Sequence, residues 1–193
     1  MAKARIPLLL LLMALCTVAS AERYRGAPQD AKPVRALLGT LADYRAQFAH
    51  LLEMRGKIEP WRARLNDTDA RIGRELQAQA ADRARLKKGA LSDAEFKAEW
   101  DTSGRAKKIQ QDLAAFKQEQ GRYNDYVHEF NALAGKLSAH LKKRSPAQVE
   151  SLLGEIDKLS GILNDALTDG NYVKASYVAG HSALAAEFGY VGH

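Results

Sequence analysis

The sequence predicts an all-α protein: a long antiparallel helical hairpin of coiled-coil type, with two shorter C-terminal helices forming a bundle at its base. Three observations carry this reading. The first is a 4-3 spacing across residues 109–141, at Ile109, Leu113, Phe116, Gln120, Tyr123, Val127, Phe130, Ala134, Leu137 and Leu141, where Gln120 is the single polar member. Such spacing is the seam of a helix packed along another helix, and at the α-helical rise the run would be about 50 Å long. The second is a partner seam: steps of seven from Leu37 reach Tyr44, Leu51, Ile58, Leu65, Ile72, Gln79 and Leu86. The third is the turn that joins them. Lys87-Lys88-Gly89 puts basic residues in a last helical turn and a glycine at its cap. Ser92 with Glu95 is a capping box, flanked by Leu91 and Phe96 as a hydrophobic staple. No stretch alternates as a strand would.

Taken in order, the first 21 residues read as an export signal. Lys3 and Arg5 give a positive start, residues 8–18 are almost uninterruptedly apolar, and Ala19-Ser20-Ala21 suits cleavage before Glu22. Cys16 is the only cysteine and lies inside this segment, after Leu15 rather than after the small residue a lipoprotein signal requires. Cleavage would therefore leave a chain without disulfides or thiolate chemistry, whatever the compartment allows.

Residues 22–32, with Gly26 and Pro28, read as a flexible arm, and Pro33 suits a first helical position. Residues 33–144 form the expected hairpin. Val34, Leu41 and Phe48 widen its first seam, but the same line continues as Arg55, Arg62, Asp69, Leu76 and Arg83. Gly56 and Pro60 fall where the stripe narrows. Proline removes a backbone donor and crowds the preceding turn, so a break or strong kink is expected there, although the heptad phase carries through. If facing residues sum to about 181, Ile72 meets Ile109, Leu65 meets Phe116 and Leu51 meets Phe130; Phe116 and Phe130 are then interior. Ser103-Gly104 is expected to bend the second helix early.

Residues 145–193 hold the C-terminal helices. Ser145-Pro146-Ala147-Gln148 is a second capping box. Val149, Leu152, Leu153, Ile156, Leu159, Ile162, Leu163 and Leu167 make a stripe broader than a two-helix seam needs. Thr168-Asp169-Gly170-Asn171 is a turn, and Tyr172, Val173, Tyr177, Val178, Leu184, Ala185 and Phe188 predict one last helix.

Composition narrows function without naming it. The chain carries +6, falling to +4 without Lys3 and Arg5, and from Phe130 onward bases and acids balance at six each. A surplus this small is usually a solvated face and allows contact with acidic partners or anionic lipid heads without arguing for them; with Tyr123, Tyr126 and Phe130 at helical spacing and an export signal, no nucleic acid is expected. His50, His128, His140, His181 and His193 include no three- or four-residue pair, so no metal or cofactor is expected. Asp125 with His128 is nearest to a Glu-x-x-His pattern and suits a solvated pair better. No phosphate loop, nucleophile elbow or serine–histidine motif is present.

The expected function is therefore that of an exported, non-enzymatic helical interaction protein: a scaffold, adaptor or chaperone-like module of the periplasm or exterior. Its partner would be another protein or its own copy, with contact to envelope components also open. The competing reading is a small-ligand or metal-binding helical bundle of the cell envelope. Because the two seams have unequal apolar width, the tip half of the hairpin, residues 65–116, is the expected contact surface. Leu65, Phe96, Trp100 and Leu113 are its contact residues, and Trp61 lies off the seam like Trp100.

Overall fold

The computed structural model describes residues 25–142 and 144–191. The expected export signal, residues 1–21, lies outside them. The described chain is helical throughout: a 3-10 turn at Pro28–Ala31, α1 Lys32–Lys87, α2 Asp93–Lys97, a π-helical turn at Ala98–Thr102, α3 Arg105–Lys136, α4 Ser138–Leu141, α5 Pro146–Thr168, α6 Tyr172–Gly180 and α7 Ala183–Glu187. There is no strand among the described residues. The described residues divide into two compact units, one of those up to 49 with those from 141 on, the other of residues 50–140. α1 contributes to both.

In the first unit the start of α1 packs with the C-terminal helices. Val34, Leu37, Leu41 and Phe48 are buried at 3-4 spacing, and α5 answers with Val149, Leu152, Ile156, Leu159, Leu163 and Ala166. Equal periods let two stripes interdigitate along their length. Tyr44 packs on Phe188 with ring centroids 4.7 Å apart. Arg45 grips Asp157 through two guanidinium nitrogens, Nη2 donating to Oδ2 at 3.0 Å, and Arg144 does the same to Glu187 at 2.6 and 2.7 Å. The α5 stripe is narrower than expected: Leu153 and Leu167 are only half-buried, and Ile162 is 38% exposed. The arm before α1 is tied down, since the Arg25 carbonyl accepts from the backbone N–H groups of Tyr172 and Val173 at the start of α6.

The second unit is the hairpin proper. Its turn forms as the sequence requires. Gly89 takes φ +71°, which only glycine adopts without cost. The Ala90 N–H then reaches back to the Arg85 carbonyl at 2.9 Å, closing the end of α1 as a Schellman motif. The Ser92 hydroxyl accepts from the Glu95 N–H, while the Glu95 carboxylate accepts from the Ser92 N–H.

α1 runs through Gly56 and Pro60 without interruption, so the expected break does not occur. The ring of Pro60 costs the hydrogen bond that would reach the Gly56 carbonyl four residues back. Both residues are exposed, so that carbonyl is free to bond to water, and the buried line on either side holds the helix together. The early bend in the second strand of the hairpin does occur. The π-helical turn and Gly104, at φ +74°, separate α2 from α3.

Candidate interaction surface of the hairpin

Each helix of the hairpin carries three lines, a central one and two flanks. The central line of α1, Ile58, Leu65 and Ile72, runs opposite that of α3, Ile109, Phe116 and Tyr123, as the cross-hairpin pairs below require; Phe130 and Leu137 continue the line beyond them. Ile72, Ile109 and Leu137 are buried, while Phe116, Tyr123 and Phe130 are half-buried rather than interior. Two helices supply one wall each, and rings as wide as phenylalanine overhang a seam that no third helix roofs.

One flank is bridged by polar and aromatic pairs, with a groove between them. Steps of seven along α1 from Met54 give Trp61, Thr68, Glu75 and Asp82, and all of these are buried or half-buried. The line from Phe48 does decay into exposed Arg62, Asp69 and Arg83 as expected, but a second half-buried line, not foreseen and offset by one residue, takes its place. Trp61 lies on this line, with ring centroids 5.8 Å from Tyr123 and 5.5 Å from Tyr126. Its Nε1 is buried without a hydrogen-bond partner. Toward the tip, Arg71 donates to Asp112 at 2.7 Å and Arg105 to Glu75 at 2.6 Å. These pairs sum to 183 and 180, and Trp61 with Tyr123 to 184. The expected value of 181 thus lies within one helical turn throughout. The hydrogen bond from Arg105 holds the Glu75 carboxyl below its ordinary range, and Arg71 does the same to Asp112.

Trp100 is the tip's keystone. It is 0% exposed, its Nε1 donates to Asp82 Oδ2 at 3.2 Å, and the Arg105 guanidinium lies 4.2 Å from its ring centroid. Arg105 also pairs with Glu99. The π-helical turn rotates the indole inward, which a plain helical reading of the sequence cannot show. Of the four expected contact residues, Trp100 and Leu65 are thus core: Leu65 is 9% exposed on the central line, at the floor of the hairpin groove described below. Phe96 and Leu113 are half-buried.

The other flank is open. On α3 it carries Ala106, Leu113, Val127 and Ala134, all half-buried, with exposed Gln120 among them; on α1 it carries Arg62, Asp69, Leu76 and Arg83, all exposed. Leu76, at 39%, is one of the most exposed large apolar residues of the chain. It was legible as an apolar member of the second α1 line, but its exposure depends on which flank the polar pairs occupy.

Two clefts bear on the ligand-binding reading. In the hairpin, a groove of about 450 Å³ is lined by Trp61, Arg64, Arg71, Asp112, Phe116 and Arg122, among others. Two of its arginines are engaged with carboxylates, Arg71 with Asp112 and Arg122 with Glu119 at 3.6 Å, so most of its charge is spent within the walls. In the first unit, a cleft of about 700 Å³ is lined by Tyr172, Val173, Tyr177, His181, Tyr190 and Val191, among others. Tyr177 stacks on His181 at 4.0 Å. Among the described residues no three His, Cys, Asp or Glu side chains gather as a metal site would need, and no helix is long and apolar enough to cross a membrane. His50 lies 3.8 Å from Glu53 on its own helix. No protein-family model, curated protein or solved structure matches the chain, so the reading of this surface rests on its geometry.

Proposed function

We propose that the protein is an exported, non-enzymatic interaction protein that engages a protein partner or its own copy through the open flank of its helical hairpin. One observation supports this above others. The open flank keeps Leu113 and Val127 only half-covered, while the opposite flank is bridged by specific pairs. An apolar line of Ala106, Leu113, Val127 and Ala134, interrupted by Gln120 and lying beside a flank bridged by polar pairs, has the form of a helix-packing surface. The scaffold, adaptor and chaperone-like roles all follow from such a surface and differ only in what it holds. Export to the periplasm or exterior rests on residues 1–21, and intact-mass measurement of the secreted chain tests it, with Glu22 as the expected first residue.

The interaction itself is tested by affinity capture from envelope extract with the wild type, Leu113→Ser and Val127→Asp. All three should show the same helical circular dichroism, and a partner retained by the wild type should be lost by both variants. Retention by both would mean that this flank is not the surface. The competing small-ligand reading is favoured by the tyrosine-lined cleft of the first unit, which has the size of ligand sites in general. A ligand co-purifying with the wild type and lost on Tyr177→Ala would support it instead.

A further inference from the structure

The open flank of α1 carries a self-complementary pattern. Asp69, Leu76 and Arg83 stand seven residues apart, on nearly one line, because seven residues fall about 20° short of two full turns. The apolar residue is in the middle and one charge of each sign lies about 10 Å to either side. Asp69 and Arg83 are both exposed, and among the described residues neither has a hydrogen bond or ion pair. Beside them, Arg62 pairs with Glu59 at 2.7 Å and Arg85 with Asp82 at 3.1 Å. Around Leu76 the adjoining positions one turn away are Ile72, Gly73, Gln79 and Ala80, all uncharged. Leu113 and Ala106 of α3 lie on the same flank, since the paired residues Arg105 and Asp112 occupy the other one.

We propose that a second copy of the chain docks antiparallel on this face, about a two-fold axis passing beside Leu76, with Asp69 of each copy facing Arg83 of the other. This rests on the hairpin flank being an interaction surface and names its partner. An isologous contact repeats every pair twice. With facing positions summing to 152, Leu76 meets its own copy and both ion pairs form together. A parallel arrangement would set Asp69 on Asp69 and Arg83 on Arg83, and like charges in register are repelled. Leu76 and Leu113 of both copies then cover one another, and Gly73 and Ala80 let the helices approach closely.

Sedimentation equilibrium on the wild type, Asp69→Arg, Arg83→Asp, the double reversal and an equimolar mixture of the two single variants tests the register. The wild type is expected to dimerise. Each single reversal replaces two attractions by two repulsions and should weaken self-association by about tenfold or more. The double reversal should regain wild-type association, because both facing pairs are restored with exchanged signs. The mixture should form a heterodimer that neither variant forms alone. These recoveries cannot come from a folding defect, and circular dichroism on each variant checks helicity directly. A double reversal no better than the single ones, or a mixture that stays monomeric, overturns the antiparallel register. A wild type monomeric to about 100 μM overturns the second copy as partner. If that monomer still loses a captured protein on Leu113→Ser, the interaction reading stands and only its occupant changes.

Discussion

Trp100→Ala should be the most damaging single truncation in the hairpin. The indole is 0% exposed and makes three kinds of contact that alanine cannot. Truncating a buried tryptophan costs about 3–5 kcal/mol through lost transfer energy and the cavity left behind. The Nε1 bond to Asp82 adds about 1 kcal/mol net for a typical hydrogen bond, and more for a carboxylate acceptor. The guanidinium of Arg105 over the ring adds about 0.5–1 kcal/mol at a partly exposed position. Part of this is recovered, because Asp82 keeps Arg85 and Arg105 keeps Glu75. A loss of about 4 kcal/mol is therefore expected. Trp100→Phe, which keeps most of the apolar contact, should lose about half as much. Both tryptophans lie in the hairpin unit, so urea unfolding followed by the fluorescence of Trp61 reads that unit's transition in the variants. A loss under about 1 kcal/mol for Trp100→Ala would mean that the indole is not packed as described, and would return the tip to consideration as a binding surface.

Three further outcomes follow from the same structure. Trp61→Phe should be close to neutral, within about 1 kcal/mol by chemical denaturation, because the ring stays against Tyr123 and Tyr126 while a buried donor without a partner is removed; a loss above about 2 kcal/mol would mean that the indole N–H is bonded. Pro60→Ala should stabilise α1 by about 1–3 kcal/mol and raise the unfolding midpoint, since an exposed helix interior regains a hydrogen bond to the Gly56 carbonyl; a drop in midpoint would show that the proline shapes the helix. Stability should fall on acidification: Glu75 and Asp112 are held below their ordinary values by Arg105 and Arg71, so their contribution is complete above the usual carboxylate range, near pH 4, and disappears as pH drops through their lowered values. Thermal melts between pH 7 and pH 2 check this, and Glu75→Gln combined with Asp112→Asn should flatten the dependence.

Sequence alone determined the helical class, the hairpin turn and the helix starts. These depend on local chemistry: Gly89 at a left-handed cap, Ser92 with Glu95, Ser145 with Gln148, and a period of 3.5 residues sustained over many turns. The same period carried α1 through Pro60, because the energy of a long buried line outweighs one solvent-facing bond. Which flank of the seam closes was not legible. Thr68, Glu75 and Asp82 look like surface residues until Trp100 and Arg105 arrive opposite them, and that meeting depends on a π-helical turn that no local signal marks. With it, Trp100 and Leu65 became core, and Leu76 with Leu113 was left to face outward. Stripe width can be counted along a chain, but burial belongs to pairs of residues distant in sequence, so only the tertiary structure decided where the uncovered apolar surface lies.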